Sequence, residues 1–184
     1  MSGWLVVIAL VGGVNAARLA PVLPRGDRTV GERVAVGGLG ALLACAVLGV
    51  LVAAGDATAS WLDVSAPTFA VAAGLVLVLG AIAQAVRVPR AEPSLPGRQA
   101  AVVPVAVPFV LRPDLGLVCL AAGASDTGLA ATVGLVLAVT SVVAAAAIDV
   151  DGVRGRVVRW TAWGLGVATI AAGIAITVDG VLAV

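Results

Sequence analysis

Apolar blocks of about 20 residues recur along this chain, and each is long enough to cross a bilayer as a helix. Six such blocks are present, at residues 4–24, 34–54, 66–86, 100–123, 128–148 and 160–183. The chain is 61% hydrophobic and 11% charged, whereas soluble domains are about half apolar and about a quarter charged. The sequence therefore predicts an all-α, polytopic membrane protein whose 184 residues form one transmembrane domain.

The loops between the blocks differ in the sign of their charges. Acidic residues without any cation occupy the loops after the second and fourth blocks. Arginines occupy the other three loops: Arg25, Arg28 and Arg33; Arg87, Arg90 and Arg98; Arg154, Arg156 and Arg159. Because positive charge stays on the cytoplasmic side, we expect these three loops inside and both termini outside. Tryptophans at block ends fit an interfacial belt.

Three spans in each half would place the halves upside down relative to one another. The first half covers about residues 4–87 and the second about 100–183. The leading block of each half carries prolines and an arginine: Asn15, Arg18 and Pro21 in the first, and Pro104, Pro108, Arg112 and Pro113 in the fourth. Proline interrupts helices, so we predict that both blocks are broken. Inverted repeats with broken helices are typical of secondary transporters.

Arg112 is the most informative single residue of the fourth block. It lies near the middle of that block, roughly 18 Å from either end if the block is helical. Two interpretations stay open: a cation that binds a substrate carboxylate, or a structural partner of Asp114 or of another buried acid. Arg18 lies closer to the cytoplasmic end, and there we favour snorkelling toward the membrane surface unless the first block is broken between Asn15 and Pro21.

Other polar residues carry less information. Asn15 could line a path, whereas the hydroxyls of Thr140, Ser141, Thr169 and Thr177 are expected to bond to carbonyls of their own helices. The chain has no histidine and only two cysteines, and the sequence Asp149-Val150-Asp151-Gly152 lacks the further acids that a metal loop needs. We therefore predict neither a metal nor a cofactor.

The chain resembles the MarC family of six-helix bacterial membrane proteins, which is grouped with the LysE-type exporters. In the first block Asn15 and Pro21 match the family's Asn and second Pro, while Ala16 and Arg18 differ from it. In the fourth block Pro104, Pro108 and Pro113 match, while Arg112 and Asp114 replace two glycines. Phe69 in the third block and Asp179-Gly180 in the last are also similar. The chain is thus identified as a divergent member, and the resemblance implies a transporter in the bacterial inner membrane.

The sequence favours a secondary transporter or exporter of a small neutral amino acid or similar solute. Asn15, Arg18, Pro21, Pro104, Pro108, Arg112, Pro113 and Asp114 are its candidate substrate-binding residues. The alternative is a non-transporting scaffold or accessory subunit with a charge-paired centre, and a membrane enzyme ranks last. The expected partners are the lipid bilayer and a small solute, without nucleic acid, and a homo-oligomer stays open.

Overall fold

A computed structural model describes residues 1–19, 29–86, 112–148 and 152–184 of the chain. All regular structure within these ranges is helical. The helices are α1 (Gly3–Val14), α2 (Ala16–Leu19), α3 (Val30–Leu62), α4 (Ala66–Val86), α5 (Pro113–Gly123), α6 (Gly128–Ala147) and α7 (Gly152–Leu182).

Four of these helices, α3, α4, α6 and α7, are long and apolar enough to cross a membrane. Their outer faces carry large exposed hydrophobic side chains, such as Leu79 at 65% and Leu129 at 80% exposure. Such a surface suits lipid rather than water. The helical class and the membrane location predicted from the sequence are therefore supported at this level. The remaining helices α1, α2 and α5 are shorter.

Two of the predicted spans are longer in the structure than their apolar blocks. The block 34–54 becomes α3 with 33 residues, and the block 160–183 becomes α7 with 31. Helix α3 begins earlier because Thr29 and Glu32 form a capping box, in which the Thr29 side chain accepts from the Glu32 N–H and the Glu32 carboxylate from the Thr29 N–H. It ends at Asp63, whose φ of 53° is left-handed. Polar flanks thus continue both helices beyond the hydrophobic signal.

The first apolar block forms two helices in the described residues instead of one span. Helix α1 ends at Val14 and the short α2 follows from Ala16. Residues 20–28, with Pro21, and 87–111, with Pro104 and Pro108, lie outside the described ranges, as do residues 149–151.

The directions of the helices follow from the contacts between them. Helix α7 runs antiparallel to α4, since Gly180 packs on Pro67 and Val71 whereas Gly173 packs on Gly74 and Val78. It also runs antiparallel to α1, because Asn15 binds the carbonyl of Ala162 while Gly12 lies beside Thr169.

The remaining directions complete an alternating order along the chain. Helix α1 runs parallel to α6, where Gly3 meets Ala130 and Gly134 meets Val7 and Leu10. Helices α3 and α6 are antiparallel, since Gly37 lies beside Ala146 and Gly128 beside Val52. Helix α5 is parallel to α3, with Gly116 beside Leu51 and Gly123 beside Gly55. As a result, α1, α4 and α6 point one way, and α3, α5 and α7 point the other.

Small residues let these helices approach closely. At the crossing of α3 and α5, the backbone of Gly123 lies against the carbonyl of Val52 and the Cα of Gly55. The crossing of α4 and α7 is built in the same way from Gly74 and Gly173. The core between the helices is largely alanine, valine and leucine. Close backbone contact of this kind is how helices associate without a hydrophobic driving force.

Candidate functional site

Helix α1 stops inside the bundle, at an asparagine with left-handed backbone. Asn15 is the C-cap residue of α1, with φ 44° and ψ 60°. Its N–H donates to the carbonyl of Val11, and its own carbonyl accepts from the N–H of Arg18 in α2. Asparagine tolerates this conformation better than most residues because its short side chain can bond locally. The last carbonyls of α1 are thus left to find partners outside the helix.

Helix α5 begins beside the end of α1 and runs antiparallel to it. Arg112 is its N-cap with extended backbone, φ −98° and ψ 143°, and Pro113 follows at the first helical position, where its missing N–H costs nothing. Asp114 lies in the first turn, where the partial positive charge of a helix N-terminus favours an acid. Because Arg112 precedes the helix, its side chain folds back over the first turn of α5, where it contacts Asp114.

Arg112 links the ends of the two short helices. Its Nη2 forms an ion pair with Oδ2 of Asp114, and its Nη1 donates to the carbonyl oxygen of Gly13 at 3.0 Å. A guanidinium at the last carbonyls of α1 also offsets the partial negative charge of that helix end. The side chains of Arg112 and Asp114 are only 10% and 4% exposed. Of the two interpretations from the sequence, the structure displays the pairing of Arg112 with Asp114.

The ion pair lies at about the middle depth of the bundle. Helix α1 has 12 residues and α5 has 11, which gives about 17 Å for each at 1.5 Å per residue. Both start or finish at the end of the bundle where Gly3 meets Ala130. A hydrocarbon core is about 30 Å thick, so each short helix reaches roughly halfway across.

Helix α4 closes one side of the ion pair with a glycine. A Cβ added at Gly80 would lie 2.8 Å from Cγ of Asp114 and 2.9 Å from Nη2 of Arg112. No larger residue fits there without moving the carboxylate or the guanidinium. Gly80 therefore shapes the site, although it carries no chemistry of its own.

The side chain of Asn15 points at α7 and is 1% exposed. Its Nδ2 donates to the carbonyl oxygen of Ala162 at 2.9 Å. Exchanging the two amide atoms would set Oδ1 against that carbonyl, so the orientation is determined by Ala162. Oδ1 has no hydrogen-bond partner among the residues that the structure describes. The end of α1 thus carries a buried acceptor, two residues after the Gly13 carbonyl that Arg112 binds.

Arg18 is half-buried, and its Nη1 donates to the carbonyl oxygen of Gln84, near the end of α4. The sequence favours snorkelling of Arg18 unless the first block is broken between Asn15 and Pro21. Helix α1 does end at Val14, and Arg18 binds α4. Its role resembles that of Arg112, since each arginine binds a carbonyl in the last turn of another helix.

The other sequence candidates separate into two groups. Thr140, Ser141, Thr169 and Thr177 each donate to a carbonyl of their own helix, as predicted. Pro21, Pro104 and Pro108 lie outside the described ranges, so the structure brings together only Asn15, Arg112, Pro113 and Asp114, with Arg18 nearby. In the part of the chain that the structure describes, no group of three or more His, Cys, Asp or Glu residues could hold a metal.

The sequence did not single out the groups that complete the site. They are the carbonyls of Gly13, Gln84 and Ala162 and the bare Cα of Gly80. Every residue has a carbonyl, and glycine occurs in every described helix except the four-residue α2, so neither has a recognisable signal. Searches for similar proteins found no match to a family model, a curated protein or a solved structure.

Proposed function

We propose that this protein is a secondary transporter or exporter of small neutral amino acids, with its site at the Arg112–Asp114 ion pair. The observation that carries the proposal is the meeting of two half-length helices at mid-depth, joined by a buried ion pair. Ionisable groups within a membrane are costly, and they usually mark a substrate or ion pathway. Interrupted helices at the midplane are also where many transporters bind their substrates.

The ion pair itself favours a zwitterionic solute over a solute that carries a net charge. Arg112 and Asp114 together carry no net charge. A zwitterionic solute can insert between them, with its carboxylate on Arg112 and its ammonium on Asp114, so that every charge keeps a partner. A solute with a net charge would leave one buried charge uncompensated, which costs several kcal/mol. The expected substrate class is therefore the neutral amino acids rather than basic or acidic ones.

The proposed architecture is a pair of inverted repeats, α1 to α4 and α5 to α7 with the residues before α5. Its support is the alternating direction of the helices. Helix α1 runs opposite to α5, α3 opposite to α6, and α4 opposite to α7. The contacts agree with this exchange of halves: α3 packs on α5 as α6 packs on α1, and α4 packs on α5 as α7 packs on α1. Membership of the MarC family belongs to the same proposal and rests on the sequence resemblance.

The closed state of the site favours one other candidate, a non-transporting scaffold. Arg112 already binds Asp114 and Gly13, and the side chains of the ion pair are only 10% and 4% exposed. In a scaffold these contacts would be permanent and would serve only to hold α1 and α5 together.

Transport by the purified protein in liposomes separates these candidates. We expect uptake or exchange of at least one labelled small neutral amino acid by the wild type, and its loss in Arg112→Ala. Arg156→Ala is the matched control, because it removes an arginine that is exposed on α7. Folding of each variant is checked by thermal unfolding in detergent. A folded wild type that moves no zwitterion contradicts the transporter and supports the scaffold.

A further inference from the structure

The first turns of α7 present arginines and tryptophans to the surroundings of the bundle. Arg156, Arg159, Trp160 and Trp163 follow one another at i, i+3, i+4 and i+7, which is the spacing of one side of a helix. All four residues are exposed, and Trp160 and Trp163 are exposed by 73% and 56%, although tryptophan is usually well buried. We refer to these four residues as the Arg–Trp face.

The order of side chains along this side of α7 matches the order of layers in a bilayer. The two arginines precede the apolar block that begins at residue 160, and the two tryptophans lie at its start. The exposed residues Val167 and Ile174 continue the same side into the block. Because tryptophan favours the boundary between head groups and acyl chains, a phospholipid beside α7 would place its head group at the arginines and its ester groups at the tryptophans.

The charge of the Arg–Trp face indicates which head group it fits. Neither of its arginines forms a hydrogen bond or an ion pair with a residue that the structure describes. The one acid in the sequence of α7, Asp179, follows Arg159 by about 30 Å along the helix. Two guanidinium groups one turn apart suit a phosphate, which arginine can bind in a bidentate manner. A lipid with a net negative charge is favoured over phosphatidylcholine, because choline brings a cation of its own.

We propose that the Arg–Trp face binds an anionic phospholipid in the leaflet where α7 begins. The lipid phosphate lies at Arg156 and Arg159, and the ester carbonyls accept from the indole N–H groups of Trp160 and Trp163. This inference is independent of what the protein transports, since it concerns the outer surface of α7 and not the ion pair of Arg112 and Asp114.

Quenching of tryptophan fluorescence by brominated lipids tests the proposal. In a Trp4→Phe, Trp61→Phe background, which removes two exposed tryptophans, the fluorescence comes from Trp160 and Trp163 alone. The protein is placed in vesicles of equal parts phosphatidylcholine and phosphatidylglycerol, with bromine near the ester end of the chains of one lipid or the other. We expect the quenching to report a local enrichment of phosphatidylglycerol of at least about fivefold, as for one arginine at an anionic surface.

A matched pair of variants assigns the enrichment to the Arg–Trp face. Arg156→Gln should lower the enrichment, and the double variant with Arg159→Gln should abolish it. Arg154→Gln is the control, because it removes the same charge from the same end of α7. Residues two apart on a helix do not share a side, so Arg154→Gln should keep the enrichment. Circular dichroism checks that each variant retains its helix content.

Each other outcome contradicts the proposal. Equal quenching by the two brominated lipids in the protein with all its arginines means that no anionic lipid is selected. An equal loss of enrichment in Arg154→Gln and Arg156→Gln means that the vesicle surface responds to total charge and not to this face. Absence of quenching by either lipid means that protein, such as a second copy of the chain, covers the face.

Discussion

At the scale of single residues, the ion pair of Arg112 and Asp114 joins the ends of the two short helices. The two buried charges pair with each other, and Arg112 also donates to the carbonyl of Gly13. Removing one of them leaves the other charged and without its main partner, at a cost well above that of losing the pair as a whole.

We therefore predict a strongly non-additive pair of substitutions. Arg112→Met and Asp114→Asn should each destabilise the protein by about 3–5 kcal/mol, and the double variant by less than either. The reason is that the double variant removes both charges of the pair together. Unfolding in detergent, analysed as a double-mutant cycle, measures the coupling. Additive effects would mean that the two side chains do not interact in the folded protein.

Gly80 gives a second prediction at this scale. Gly80→Ala should cost about 1–3 kcal/mol, because the added Cβ meets Asp114 and Arg112 and overpacking has a cost of that size. Gly164→Ala is the matched control, since a Cβ at Gly164 meets nothing within 4 Å. It should be neutral or stabilising by up to about 1 kcal/mol. Similar melting temperatures for the two variants would argue against a tight contact at Gly80.

At the scale of elements, the end of α1 determines where the site lies. Asn15 combines a left-handed backbone with a side-chain bond to α7. The two contributions can be separated, because glycine keeps the first and alanine keeps neither.

We predict that Asn15→Ala destabilises the protein by about 1 kcal/mol more than Asn15→Gly, because only alanine is strained at this positive φ. Both variants lose the bond to Ala162, so that bond cancels in the comparison. Thermal unfolding in the same detergent measures the difference. The reverse order would indicate that residue 15 leaves the left-handed region.

The crossing of α3 and α5 gives another prediction for elements. A Cβ at Gly123 would overlap the carbonyl of Val52, so Gly123→Ala must push the two backbones apart. Gly49→Ala, on α3 with nothing within 4 Å of the added Cβ, is the control. We expect a clear loss of stability only for Gly123→Ala, measured as the fraction that remains folded after heating. Equal losses would mean that the crossing is looser than its contacts indicate.

The sequence predicted the elements better than it predicted their ends. Within the described residues, helix α4 has the bounds of its apolar block. Helices α3 and α7 are longer because capping at Thr29 and the arginine-bearing start of α7 depend on backbone hydrogen bonds, which hydropathy does not report. Residue type and position singled out Asn15, Arg112 and Asp114, which lie at the ends of α1 and α5 in the structure. Their carbonyl partners depend on how the helices pack, and no pattern in the sequence encodes that.

At the scale of the whole molecule, the arginine loops predict an orientation in the membrane. In a background of Cys45→Ala and Cys119→Ala, Asp126→Cys should react with a membrane-impermeant maleimide added outside intact cells. Arg156→Cys should react only after the cells are opened. Both positions are exposed in the fold, so accessibility from a given side reports topology. Labelling of both positions from the same side would contradict the alternating order of the helices.

Helix α7 has a mechanical consequence for the molecule. With 31 residues it is about 46 Å long, about one and a half times the thickness of the oily layer it crosses. It touches α1 at Ala162 and Thr169 and α4 from Gly173 to Gly180. Because both sets of contacts lie on one continuous helix, a rigid-body tilt of α7 would displace its contact with Asn15 and its packing against α4 together.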